Sequence, residues 1–159
     1  FLERGIVKSM IEAHPYEEVA YDIYPLENEH DRSGAGMIGR LDNPVSETEF
    51  LNKLKEIFAV KVIRHTALTG KMVEKVAICG GSGSFLIPDA IKQGADFFVS
   101  GDIKYHQFFD ADDRIVIADI GHYESEQFTS EIIADYLKKN FVNFAVRISD
   151  TPVNPVNYF

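Results

Sequence analysis

With 159 residues, 45% of them hydrophobic and 26% charged, the chain is long enough for one compact core with a small appended piece. A net charge of -9 excludes a general nucleic-acid binder, because Lys53, Lys55 and Lys61 are spread over a predicted helix and the strand after it; a local pocket for one small phosphate compound remains compatible. A single cysteine, Cys79, excludes an intramolecular disulfide and a cysteine-based zinc knuckle and fits a reducing cytoplasm, the expected compartment, while no apolar run reaches the roughly 18 residues of a membrane span.

Residues 6–13 read as the end of a helix that Pro15 stops. Val19 to Tyr24 alternates apolar and polar residues, as a half-buried strand does. The polar, glycine-bearing run from Glu27 to Gly36 is the best domain boundary, dividing residues 1–34 from 35–159. The chain begins at Phe1 without a methionine and enters a helix-like segment almost at once, so an amino-terminal part of a longer protein is expected to precede it.

After the boundary, Met37 to Leu41 reads as a short strand. Ser46 with Glu49 three residues on has capping-box spacing, and Phe50, Leu51, Leu54, Ile57 and Phe58 share one face of the helix that follows. Lys61 to Ala67 is a predicted strand, Lys75 to Cys79 a buried one, and Gly80 to Ser84 a glycine loop. Leu86 to Gln93 is a helix closed by Gly94. Further strands are predicted at Asp96 to Ser100, Arg114 to Ile120 and Phe144 to Ile148, with helices at Lys104 to Phe109 and Tyr123 to Lys139 and an extended tail from Asp150. Strand and helix alternate over short connections, which predicts an α/β fold of three layers: a mostly parallel sheet with helices on both faces.

In such sheets ligands bind beyond the carboxyl ends of the strands, where the loops Gly80 to Ser84, Gly101 to Lys104 and Gly121 to Glu126 would meet. His122 follows the apolar strand end and Glu126 lies four residues on, so an imidazole and a carboxylate share one helix face and can converge on one ion. A nitrogen and oxygen donor set suits zinc, manganese or iron better than calcium. The plainer alternative makes His122 an N-terminal helix residue and Glu126 a surface charge favoured by the helix dipole. Glu124, two positions from each, points away from that face. Gly80 to Ser84 reads as a phosphate cradle or as a tight strand-to-helix turn; it is neither a Walker motif nor a GxGxxG fingerprint. Asp102, Lys104, Tyr105 and His106 form a second polar group, in which His106 is a candidate ligand, general base or structural partner of its own helix. His14, His30 and His65 are most simply structural or solvated, and Cys79 is a core thiol.

GDIKYHQ (Gly101 to Gln107) and DIGHYESE (Asp119 to Glu126) resemble the carboxyl-terminal signatures of the Nif-three-like dinuclear metal-centre family, whose members are often called GTP cyclohydrolase 1 type 2 homologues. AHPYEEVAYDIYPLEN (Ala13 to Asn28) resembles the end of the PII- or CutA-like α+β domain inserted in longer members, and VAICGGSGS and the ending NPVNYF also fit. The resemblance implies that His122 and Glu126 are metal ligands in a centre of two divalent ions per intact subunit. In the family a His-His-Pro motif and an Asp from the amino-terminal half complete that centre. Neither matches this chain, since Ala13-His14-Pro15 has one histidine and lies in the insert-like segment. The chain is therefore expected to be a carboxyl-terminal half that binds metal poorly or not at all by itself.

The resemblance further implies a homohexamer of stacked trimers and a metal-dependent hydrolase acting on a nucleotide such as GTP, with Gly80 to Ser84 near the phosphates and His106 as the candidate proton shuttle. The alternatives are a non-enzymatic metal-binding assembly or interaction protein, and a generic nucleotide-binding domain that uses the glycine loop.

Overall fold

A computed structural model describes residues 2–25 and 34–158. The chain divides into two units, Phe1–Arg32 and Ser33–Phe159. The first unit contains α1 (Glu3–Ala13), which buries none of its residues. The helix ends where expected: His14, in front of Pro15, has the extended backbone that a following proline imposes. Val19 to Tyr24 is not a strand, and Tyr21, Ile23 and Tyr24 are exposed. Alternation alone does not make a strand; it needs a neighbour to take its backbone hydrogen bonds, and no strand is described in this unit. Most of the expected boundary, including His30, lies outside the described residues.

The second unit is built on a five-stranded sheet in the order β1-β3-β4-β5-β2, formed by Met37–Ser46 (β1), Arg64–His65 (β2), Met72–Ser82 (β3), Phe97–Gly101 (β4) and Val116–Asp119 (β5). β3, β4 and β5 run parallel, as the alternation predicts, whereas β1 and β2 are antiparallel edge strands. Pro44 is accommodated in β1 because that strand is an edge and its register shifts between Arg40 and Val45.

Side chains alternate across the central strands into two cores. On one face Val73, Phe97, Val99, Val116 and Ala118 pack with Phe50 and Leu54 of α2 (Glu47–Phe58). On the other Ala77, Cys79, Phe98 and Ile117 pack with Ile87 and Ala90 of α3 (Ile87–Lys92) and with Ala111 at the end of the 3-10 segment Tyr105–Ala111. Helical segments thus cover both faces. Ser46 caps α2 as its spacing predicts, its hydroxyl accepting from the Glu49 N–H at 3.2 Å. The buried Glu47 beside it ties the loop before β3 to α2, accepting from the Thr69 N–H and hydroxyl, each at 2.8 Å, and from the Gly70 N–H at 2.9 Å.

Three further expectations are corrected. The long helix from Tyr123 to Lys139 is two: α4 (His122–Glu126) and α5 (Thr129–Asn140). At the break, the Gln127 amide donates to the carbonyls of Phe58 and Glu124, fastening the chain to the end of α2. Phe144 to Ile148 forms no strand, and Phe144 is 72% exposed. The strand expected over Lys61 to Ala67 reduces to Arg64 and His65. Among the described residues no helix is long and apolar enough to cross a membrane.

Candidate metal-binding site

The parallel register brings three strand ends together. Ser82 at the end of β3 lies opposite Gly101 at the end of β4, and Ser100 lies opposite Asp119 at the end of β5. Beyond β4 the chain turns at Asp102, which takes a left-handed backbone with φ +54. Beyond β5 it turns at Gly121, φ +94, into α4. The two turns touch. A Cβ at Gly101 would stand 2.8 Å from the Gly121 carbonyl and the His122 Cα, so glycine is what lets the backbones approach.

This approach joins His122 to Asp102. The imidazole Nδ1 lies 2.6 Å from Asp102 Oδ2, and the Ser82 hydroxyl donates to the same oxygen at 2.9 Å. A carboxylate can only accept, so Nδ1 is the donor. The hydrogen bond from His122, seconded by that from Ser82, holds the Asp102 carboxyl below its usual range. The same bond to Asp102 raises the imidazole above its usual range against the opposing effect of burial, and the Glu126 charge adds to the rise.

The other ring nitrogen, Nε2, faces Glu126 Oε2 at 3.2 Å, the i,i+4 geometry read from the sequence. Glu126 leans on the glycines of β3: a Cβ at Gly81, φ +62, would meet its Oε1 at 2.6 Å. Ser125 clamps α4 to that strand, accepting from the Gly81 N–H at 2.8 Å and donating to the His122 carbonyl at 2.7 Å.

A second network lies beneath. The buried Asp119 takes Arg64 and the Ile103 N–H on Oδ2, the latter at 3.0 Å, and the Gly121 N–H on Oδ1 at 2.9 Å. Arg64 also donates to the Ile103 carbonyl at 2.9 Å and lies over the Phe108 ring at 5.5 Å. A cavity of about 270 Å³ opens beside His122, lined by Arg64, Asp102, Glu124 and, from the tail, Val156 and Tyr158. Burial and the Glu124 carboxylate push the Tyr158 phenol above its ordinary value. Glu124 accepts from the Asn154 amide at 3.4 Å, so it serves the tail rather than the His122–Glu126 pair.

Two donors on one tetrahedral or octahedral transition-metal ion, each about 2.0–2.2 Å from it, stand about 2.8–3.6 Å apart. The 3.2 Å between Nε2 and Oε2 falls within that range. Nδ1, engaged by Asp102, leaves Nε2 as the nitrogen that can offer a lone pair. These residues therefore fit a divalent ion as two of its ligands. Among the described residues no group of three or more His, Cys, Asp or Glu side chains is arranged to hold one ion.

His106 is exposed on the 3-10 segment, outside the residues that line the cavity. His14 belongs to the first unit, and His65 is exposed with Nδ1 2.7 Å from the Thr66 carbonyl. The glycine loop does not form an open cradle. β3 runs through Ser82, and the N–H groups of Gly81 and Gly83 are taken by the hydroxyls of Ser125 and Ser100. Cys79 is buried, and burial followed by the Glu126 charge raises its thiol. Arg64, Asp119 and Tyr158 escape the sequence reading as site residues, and Ser82 and Ser125 enter it only as members of site loops. Only the fold brings them together, although the Gly-Asp pair ending β4 is a local signal for Asp102.

A family model described as Duf34/NIF3 (NGG1p interacting factor 3) matches residues 6–155. A Bacillus subtilis (strain 168) protein named GTP cyclohydrolase 1 type 2 homolog is 37% identical over 162 residues, covering 99% of this chain and 43% of the relative. A Staphylococcus epidermidis protein of the same name is 31% identical over 155 residues, 95% of this chain and 42% of the relative. The crystal structure of a Bacillus cereus protein related to NIF3 aligns over 99% of this chain and 44% of that one, with a TM-score of 0.75 and 34% identity. A Staphylococcus aureus crystal structure aligns over 99% and 52%, with a TM-score of 0.76 and 25% identity. The chain spans under half the length of these curated relatives.

Proposed function

The chain belongs to the Duf34/NIF3 family, and from that premise we propose that His122 and Glu126 are part of a divalent-metal centre in a metal-dependent hydrolase. The observation that carries this reading is the 3.2 Å separation of Nε2 and Oε2, with Nδ1 engaged by Asp102 so that Nε2 is the lone-pair nitrogen. Zinc, manganese or iron suits the donor set. A divalent ion held there would lower the pKa of a bound water toward neutrality and polarise a substrate oxygen. The remaining work falls to the chain's own residues. Arg64, fixed by Asp119, the Ile103 carbonyl and Phe108, presents a cation at the cavity wall for an anionic or carbonyl group. Tyr158 and Val156 narrow the cavity from the tail side. The name carried by the relatives suggests a nucleotide such as GTP as substrate.

Two protein ligands hold a transition metal weakly, because structural zinc sites use four and catalytic ones usually three. The intact centre, with two ions per subunit, is proposed to draw further ligands from outside this chain. Zinc titration against a chromogenic chelator tests the site: weak binding by this chain should disappear in His122→Ala and Glu126→Ala. Binding that survives both substitutions would overturn the assignment.

A second reading is a non-enzymatic metal-binding assembly, such as a homohexamer built of stacked trimers. It is favoured by the apolar side chains exposed on and after α5, among them Ile132, Tyr136 and Phe144. Turnover of a nucleotide panel by the metal-loaded protein supports the hydrolase, and no turnover by a stable metal-loaded oligomer supports the assembly.

A further inference from the structure

Resting on the metal reading of His122 and Glu126, we propose that Asp102 and Ser82 are positioning residues: they form a relay that holds His122 as the Nδ1–H tautomer and aims Nε2 at the ion. The relay has three members in line. The Ser82 hydroxyl donates to Asp102 Oδ2 at 2.9 Å, and the same oxygen accepts from His122 Nδ1 at 2.6 Å. With this oxygen engaged from both sides, the carboxylate cannot swing without losing both bonds. Three separate strand ends supply the three residues, so the relay exists only in the folded sheet.

Backbone geometry favours this role. Asp102 sits in the left-handed region, φ +54, at the turn that puts its side chain beside the imidazole. Most residues are disfavoured there, but aspartate and asparagine tolerate it. Gly101 leaves no room for a Cβ between the two turns, which keeps the His122 backbone against Asp102. Glu126 reaches the opposite nitrogen at 3.2 Å, so each ring nitrogen faces one carboxylate. The imidazole therefore cannot flip its ring without exchanging the two carboxylates. A neutral imidazole with Nδ1 committed to a carboxylate presents Nε2 as a more basic ligand than a free ring does.

The test uses Asp102→Asn, which keeps the side-chain shape and a residue suited to the left-handed turn but loses the carboxylate. Urea unfolding checks that it folds. Long-range nitrogen–proton NMR, recorded at alkaline pH where the imidazole is neutral, reports the His122 tautomer, with the signal assigned by its absence in His122→Ala. Chelator competition reports zinc affinity. In the wild-type chain Nδ1 carries the proton. In Asp102→Asn the Nε2–H tautomer is populated and zinc binds about 10- to 100-fold more weakly. Ser82→Ala, which leaves the carboxylate with one anchor fewer, weakens zinc about two- to tenfold. A folded Asp102→Asn that keeps the wild-type tautomer, or keeps zinc affinity within about twofold of wild type, overturns the relay. Zinc binding that persists in His122→Ala overturns the metal reading instead, so the two failures are distinguishable.

Discussion

Replacing Asp119 by alanine removes the acceptor on which the site's two turns depend. The Asp119 side chain is 3% exposed and serves the Ile103 N–H, the Gly121 N–H and Arg64. Leaving a buried N–H without a partner costs about 1–3 kcal/mol, which gives about 2–6 kcal/mol for the two backbone donors. The Arg64 side chain is 58% exposed, so water screens its loss and that pair adds about 1 kcal/mol or less. Asp119→Ala should therefore lose about 2–7 kcal/mol, read as a lower urea midpoint at unchanged slope. Asp119→Asn should recover only part of this. It keeps one acceptor oxygen for Gly121 but turns an amide NH2 toward Ile103 N–H and Arg64, donor against donor. An alanine variant within about 1 kcal/mol of wild type would refute the reasoning, because the two backbone donors could not then depend on this carboxylate.

Other outcomes follow from the same geometry. Burial alone would raise the Glu47 carboxyl, but hydrogen bonds from the Thr69 hydroxyl and from the Thr69 and Gly70 N–H groups, with help from Lys71, hold it below its usual value. A depressed carboxyl contributes stability above the unfolded pKa and loses it as pH falls through the folded one. Glu47→Gln should thus be less stable than wild type at neutral pH, with the gap closing below about pH 4 in urea midpoints measured across the acid range. Gly101→Ala should destabilise by more than about 1 kcal/mol and weaken zinc binding, because its Cβ meets backbone that cannot turn aside, whereas Gly39→Ala, with nothing within 4 Å, should stay within about 0.5 kcal/mol of wild type. Ser125→Ala should cost about 1–2 kcal/mol in the same assay through its two lost hydrogen bonds, and it should shift the amide resonance of Gly81.

The elements that sequence reading located best carry their own reasons locally. Ser46 and Glu49 mark a helix start, and Phe97 and Val116 belong to runs apolar enough to be strands buried on both faces. Those that failed depend on a partner. Val19 to Tyr24 and Phe144 to Ile148 have strand composition but no neighbouring strand among the described residues, and composition cannot report that. The helix after Gly121 looks continuous in periodicity, yet Gln127 hydrogen-bonds to the end of α2, an interaction between residues 58 and 127 that no local pattern contains. The site divides the same way. His122 and Glu126 are legible because their spacing fits one helix face. Ser82 and Asp102 are 20 residues apart and Asp102 and His122 another 20, and only the parallel register makes them adjacent.

The claim that His122 Nε2 and Glu126 share an ion is tested most directly by crystals of this chain soaked in zinc, with diffraction recorded at the metal absorption edge. The expected anomalous peak lies about 2.0–2.2 Å from both His122 Nε2 and a Glu126 carboxylate oxygen. Ordered zinc elsewhere on the chain, with no peak at this pair, would contradict the assignment.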